Sequence, residues 1–345
     1  MSITTPVQAG TPRPHGPDGD ALLEVRNLSV DFWTPRGPVR AVDNVSLSIA
    51  PGEILGLAGE SGCGKSTTGF AIIRLIEPPG VISGGQILLR GRDILAFSPT
   101  ELRKLRWSRI SMVFQSAMNA LNPVARIGEQ IVDAIRAHER VGRRQAEERA
   151  AELFTLVNIE PSRLRSYPHE LSGGQRQRAV IAVALALNPE LVIMDEPTTA
   201  LDVVVQRAIL REIVRLQARL GFSILFITHD LSLLIELSDR IAIMYAGKVV
   251  ETAAAQELFR NPLHPYTVGL LDSSPSVHGR TGKLRGIPGT VPDLRTPPPG
   301  CRFADRCPRV RPYHRQVEPP LLEMSPGHWV ACHLYGGGAN NATAG

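Results

Sequence analysis

The chain has 345 residues, 43% of them hydrophobic, a formal net charge of +5 and four cysteines. That is enough for two domains and a sizeable core, but no run approaches the roughly 18 apolar residues of a membrane helix, and the cysteines give no secreted disulfide framework. The charge suits an anionic ligand or the inner membrane surface as well as it suits an ordinary basic surface, and it forms no long stripe for nucleic acid.

Residues 1–20 are rich in Pro and Gly, which predicts a disordered tail. This start has neither a charged leader nor an apolar core, so no signal peptide is expected and the chain is expected to be cytoplasmic. ALLEVRNLSVDFW alternates like an edge strand and ends on Phe32 and Trp33, two aromatics suited to packing on a small β-subdomain. VRAVDNVSLSIAPGEILGLAG continues the strands through the turn at Pro51–Gly52. GESGCGKST follows, and Gly59, Glu60, Ser61, Gly62, Cys63, Gly64, Lys65, Ser66 and Thr67 fit the phosphate-binding pattern G-x-x-x-x-G-K-[ST]. The pattern lies between an apolar run, residues 54–58, and a helix-like segment, residues 68–76. Its backbone N–H groups and the helix N-terminus are built to close around phosphates. Lys65 is then placed to bridge the β- and γ-phosphates and Ser66 to ligate Mg²⁺, with Asp195 either a direct ligand or one step behind the metal's own ligands. Cys63 reads as a small residue that fits beside the phosphates.

GGQILLRGRDI reads as a hairpin strand, and residues 110–114 as a strand with Gln115 just past it. Residues 125–165 have helical composition, and their charge run reads as a solvated face. Ser172, Gly173 and Gly174 precede a helix predicted over 175–187, so they form a helix N-terminus with small side chains, which binds anions. Leu191, Val192, Ile193 and Met194 make a strand apolar on both faces, which belongs inside a covered parallel sheet. Asp195 and Glu196 emerge at its carboxyl end, where such sheets place ligands. Two adjacent acids there cost desolvation energy unless something positive sits beside them, and a magnesium nucleotide supplies that charge. His229 ends a further strand predicted over 223–228.

The phosphate loop, LSGGQRQ, DEPT and ALD, in this order, resemble the ATP-binding subunits of ABC transporters. The resemblance implies an α/β fold: a P-loop ATPase core at 21–260 with a mixed β-subdomain, a parallel-sheet core and a helical subdomain at about 116–180. It implies ATP and Mg²⁺. Phe32 then stacks on adenine, and Gln115 touches the metal and the attacking water. Glu196 acts as general base or polarises that water, and His229 senses the γ-phosphate. Leu171, Ser172, Gly173, Gly174 and Gln175 cap the γ-phosphate held by a second ATPase subunit, and Asp202 faces that subunit.

FQ…LNP…IGEQI, NPLHPYTVGLLDSSP, IPGTVPDLRTPPPGCRFADRCP and EPPLLEMSPGHWVACHL resemble the oligopeptide, dipeptide and nickel importer branch, with an extension over 261–335 and a tail at 336–345. The branch implies a paralogous ATPase partner, two membrane-spanning permease subunits, an extracytoplasmic substrate-binding protein, no nucleic acid, and a peripheral place on the cytoplasmic face of the membrane. Peptides are the leading cargo, with nickel or oligosaccharides as the alternative. A soluble ABC ATPase of DNA repair or translation would need two tandem cassettes or a long coiled coil, and this chain has neither. Some members of the branch hold an iron–sulfur cluster in the extension. Here Cys301, Cys307, His314 and Cys332 stand at those positions, with His314 in place of a cysteine, and could hold a [4Fe–4S] cluster, zinc or nothing. The extension is short and proline-rich, so its own core is expected to be thin and to need a staple.

Overall fold

A computed structural model describes residues 21–115, 120–198, 202–273 and 286–335. The tails at 1–20 and 336–345, and the residues of the ALD turn up to Leu201, lie outside the described residues.

Two sheets carry the architecture. The first contains β1 (Leu23–Thr34), β2 (Gly37–Ile49), β4 (Gly80–Leu89) and β5 (Arg92–Asp93), in the antiparallel order β2-β1-β4-β5. The alternation in β1 predicts an edge strand, but β1 lies in the interior of this sheet. The half-buried pattern arises because one face packs on the core while the other stays wet. Its register breaks between Arg26 and Ser29 on the β4 side. There Asn27 has φ 51° and Gly85 φ 96°, and a Cβ on Gly85 would lie 2.6 Å from the carbonyl oxygens of Arg26 and Asn27. The bulge therefore needs glycine at 85.

Among the described residues, the second sheet has eight strands. β6 (Ile110–Val113), β7 (Leu191–Asp195), β8 (Ser223–Thr228), β3 (Ile54–Ala58) and β9 (Arg240–Tyr245) run parallel, in that spatial order. Every residue of β3, β7 and β8 is buried, as the continuous apolar runs require. Alternate residues serve two cores. Leu191 and Ile193 join Leu225, Ile227 and the first sheet beneath α1 (Lys65–Ile72). Val192 and Met194 face the opposite way, into the core shared with α3 (Ile127–His138), α4 (Arg143–Leu156), α5 (Gly173–Ala184) and α6 (Val203–Leu220). Of the remaining helices, α2 (Pro99–Leu105) precedes β6 and α7 (Leu231–Leu237) follows β8. Both α1 and α5 start earlier than the sequence pattern suggests, at Lys65 and Gly173, because their caps lie within the motifs themselves.

Among the described residues, the chain beyond residue 260 forms no core of its own. After β10 (Lys248–Ala254), α8 (Ala255–Arg260) and α9 (Pro265–Ser273), it returns as β11 (Leu322–Ser325) and β12 (His328–Val330). β12 pairs antiparallel with β10, and β11 with β12, so the segment completes the edge of the ATPase sheet. With little core of its own, the segment borrows the ATPase sheet. It also shares an aromatic cluster, with Tyr266 and Phe303 at centroid distances of 4.6 and 5.2 Å from Tyr245 of β9. Glu251 of β10 is fully buried and fastens the two parts. It accepts hydrogen bonds from Leu263 N (2.7 Å), His264 N (2.9 Å) and His328 Nε2 (2.8 Å).

Candidate nucleotide site

The phosphate loop joins β3 directly to α1, and two glycines make that passage possible. Gly59 has φ 150°, and a Cβ there would sit 2.1 Å from the Met244 carbonyl oxygen. Gly64 has φ 104° and caps α1, and its Cβ would sit 2.4 Å from the Ala41 carbonyl oxygen. Lys65 is buried, and its ammonium donates to the carbonyls of Gly59 (2.7 Å) and Glu60 (2.9 Å) across the loop. A lysine held there by neutral carbonyls can transfer its bonds to phosphate without leaving the site. Cys63 is buried 3.7 Å from the Lys65 ammonium, and burial pushes its thiol up, which fits a small packing residue rather than a nucleophile.

Ser66 Oγ donates to Asp195 Oδ1 at 3.0 Å, bringing the loop and the end of β7 together. Burial pushes the Asp195 carboxyl up, and the Ser66 hydroxyl opposes that shift. A divalent cation between Ser66 and Asp195 would favour the charged form against that burial, so this pair fits a magnesium site.

Glu196 occupies the left-handed region at φ 45°, held there by its N–H on the Ile227 carbonyl (2.9 Å). Such strain persists only where the surroundings dictate it. It turns the carboxylate between two predicted partners: Gln115 Nε2 donates to Oε2 at 2.9 Å, and His229 Nδ1 lies 2.9 Å from Oε1. Three strand ends, those of β6, β7 and β8, thus bring Gln115, Glu196 and His229 together at the carboxyl edge of the sheet.

The signature residues lie at the start of α5. Ser172 Oγ accepts from Gln175 N (3.3 Å), and Gln175 Oε1 accepts from Ser172 N (3.1 Å). This reciprocal cap leaves Ser172 and Gly173 exposed while Leu171 is buried beneath them. A Cβ on Gly174 would lie 2.9 Å from Val205, so close packing on α6 excludes a larger residue. Asp202 caps α6, accepting from Val204 N (3.1 Å) and Val205 N (2.9 Å). Phe32 is half-buried on the first-sheet core and Trp33 is exposed, so the two aromatics take opposite faces of β1.

Cys301, Cys307, His314 and Cys332 line one small cavity, together with His264 and His333. Burial pushes the Cys301 thiol up to about 11 and raises that of Cys332. His314 stacks on His333 (centroids 5.0 Å apart, 13° between planes), and its Nδ1 accepts from Arg311 N at 3.2 Å. Among the described residues, no group of three or more His, Cys, Asp or Glu is gathered closely enough to hold a metal ion.

Sequence reasoning missed two residues that touch the phosphate loop from beyond residue 260. Tyr266 lies in the H-P-Y segment and Arg306 between two cysteines, and neither stands in a phosphate-binding motif. Among the described residues, no helix is long and apolar enough to cross a membrane.

Comparison with known proteins agrees with this geometry. The family model described as ABC transporter matches residues 42–199, and that described as oligopeptide/dipeptide transporter, C-terminal region, matches residues 250–313. The "Probable peptide ABC transporter ATP-binding protein" of Sinorhizobium fredii is 48% identical, over 92% of this chain and 96% of its own. The oligopeptide transport ATP-binding protein OppD of Bacillus subtilis is 45% identical, over 91% of this chain and 88% of its own. The dipeptide transport ATP-binding protein DppD of Lactococcus lactis is 44% identical, over 91% of both chains. Among solved structures, a dimeric ATP-binding cassette in a post-hydrolysis state with ADP and Pi matches with a TM-score of 0.61 at 28% identity, covering 68% of this chain and 98% of that one. The chain therefore belongs to the ABC transporter family, as an ATP-hydrolysing subunit of the branch that carries the oligopeptide/dipeptide transporter C-terminal region.

Proposed function

We propose that this subunit energises the uptake of di- or oligopeptides through a membrane permease, and that Glu196 drives hydrolysis. The observation that carries the chemistry is the meeting of Gln115 and His229 on the two oxygens of Glu196. In this reading Glu196 accepts the proton of the attacking water, Gln115 orients that water, and His229 holds the carboxylate and registers the γ-phosphate. Lys65 binds the β- and γ-phosphates and Phe32 the adenine. Ser66, Asp195 and Gln115 would hold Mg²⁺, which supplies neutralising charge at the phosphates when bound.

Leu171 to Gln175 and Asp202 face a second ATPase subunit, a paralogue. The exposed Ser172 and Gly173 at the start of α5 support that reading, since a helix N-terminus left open to solvent can accept an anion. ATP at such an interface favours the closed dimer, and its hydrolysis opens it. Two permease subunits, an extracytoplasmic binding protein and a place on the cytoplasmic face of the membrane complete the assembly.

The cargo rests on the match at residues 250–313 and on relatives named for peptides. Deleting the gene and restoring it in the native host, with uptake of labelled di- and tripeptides followed beside nickel and oligosaccharides, tests it. Peptide uptake should fall to background and return with the wild-type chain. Loss of nickel or oligosaccharide uptake alone overturns the peptide reading.

The shared cavity of Cys301, Cys307, His314 and Cys332 supports a finer proposal, a [4Fe–4S] cluster. The side chains are not drawn together as ligands, so no step of hydrolysis is routed through it. Iron and sulfide assays on protein purified without oxygen, beside Cys307→Ser and His314→Ala, decide the matter. Bound iron and sulfide lost in Cys307→Ser support the cluster, and a metal-free protein with normal ATP binding overturns it.

A further inference from the structure

The phosphate loop is gripped from outside the ATPase core. Glu60, its second residue, is held through both side chain and backbone by residues beyond position 260. Arg306 donates through Nη1 to Glu60 Oε2 at 2.6 Å and through Nη2 to Oε1 at 2.9 Å. The Glu60 N–H donates to the Tyr266 hydroxyl at 2.8 Å. From the opposite side, the Lys65 ammonium bonds the Glu60 carbonyl at 2.9 Å. One loop residue thus sits between the phosphate-binding lysine and the C-terminal segment.

This grip is rigid at its far end. The Arg306 side chain is only 5% exposed, and its guanidinium donates through Nε to the Pro288 carbonyl at 2.9 Å and reaches the Ile287 carbonyl through Nη2 at 3.2 Å. Its central carbon lies 5.7 Å from the Tyr245 ring centroid, and Tyr245 packs edge-on against Phe303. A two-pronged ion pair on an anchored guanidinium fixes direction as well as distance. Phosphate binding itself asks for no carboxylate at Glu60, because that position of the motif is open to any residue. The acid there serves the contact with Arg306.

We infer that Arg306 is a positioning residue for nucleotide binding: with Tyr266 it holds the phosphate loop in its binding shape, so the C-terminal segment sets the affinity of the ATP site. A loop already ordered loses less conformational freedom when phosphate arrives, so the advantage appears in binding. Both ATP and ADP gain from it, because the loop holds phosphates that the two share. The turnover step does not, since Gln115, Glu196 and His229 lie on other strands.

The test measures ATP and ADP affinity by equilibrium dialysis, together with steady-state hydrolysis, on the full chain with Mg²⁺. The variants are Arg306→Met, Arg306→Lys, Glu60→Gln and the Glu60→Gln/Arg306→Met double. Arg306→Met should weaken both nucleotides and raise KM by about tenfold, as expected for a lost charge-assisted hydrogen bond, with kcat within about twofold. Arg306→Lys should recover part of the loss. Glu60→Gln should move the same way, and the double variant should be no worse than Arg306→Met alone, because both changes break one contact. A purely structural Arg306 would lower the melting temperature and leave KM in place, and that outcome overturns the inference. Additive effects in the double variant overturn it too. If Arg306→Met fails to fold, Glu60→Ala decides, since it spares the bonds of Arg306 to Pro288 and Ile287. An unchanged KM in Glu60→Ala then refutes the inference, and a raised KM with normal kcat supports it.

Discussion

Glu196→Gln is expected to lower ATP turnover by about a thousandfold, within the range general acid–base groups supply, which corresponds to about 4 kcal/mol of barrier. The change is nearly isosteric, so Gln115 and His229 keep a partner, but the amide cannot take a proton from water. Nucleotide binding should survive, because Lys65 and Ser66 make their bonds to the loop carbonyls and to Asp195. The signature of this role is a fall in kcat with KM little changed. Phosphate release and ATP binding measured on the same preparation check it. On the proposed pairing with a paralogous subunit, the variant mixed with that subunit should also accumulate as an ATP-bound dimer on size-exclusion chromatography, because ATP at the interface favours the closed form and is no longer removed. Turnover above about a tenth of wild type would remove Glu196 from the role of base, given the size of effect such groups show.

Glu251→Ala is expected to be the most destabilising single change in the C-terminal half. It strips the acceptor from Leu263 N, His264 N and His328 Nε2 in a fully buried site. Removing one partner from a buried charged network costs about 3–5 kcal/mol. The loss should concentrate where the network fastens the chain, so hydrogen exchange should rise first in β11 and β12 and around His264. Unchanged exchange there, with a normal melting temperature, would refute the role of Glu251 as fastener.

Acid should weaken the same place. Burial holds His264 at about 4, well below its usual value, with Glu251 opposing the shift. Its Nδ1 also accepts a hydrogen bond from Tyr266 N at 3.0 Å, which favours the neutral ring. Because the folded value lies below the unfolded one, the unfolded chain takes up the proton first as pH falls. Stability is therefore whole above about 6.5 and is lost between there and about 4, by at most about 3 kcal/mol. Chemical denaturation at stepped pH should show this slope, and His264→Gln should flatten it.

Much of the nucleotide site was legible in the residue order. Gly59 to Thr67 is contiguous, so its chemistry is written in one stretch. The same holds for residues 171–175, where the cap that opens α5 is part of the motif. Gln115, Glu196 and His229 are far apart in sequence, yet each follows an apolar run that can only be a buried parallel strand. Adjacent strands of one sheet end at one edge, so their meeting follows from topology.

What the sequence determined by itself is local: the strand ends, the phosphate loop and the acids at the end of β7. The tertiary structure alone decided where β1 lies in its sheet, because alternation reports one wet face and not the neighbours on either side. It alone showed that the proline-rich segment joins the ATPase sheet through β12, because strand pairing is made by backbone groups that every residue carries. The grip of Arg306 and Tyr266 on Glu60 is of the same kind. It spans more than 200 positions, 246 for Arg306 and 206 for Tyr266, and rests on an ion pair and a hydroxyl that could have formed with many partners. Only the packing of the chain selects which of those partners they meet.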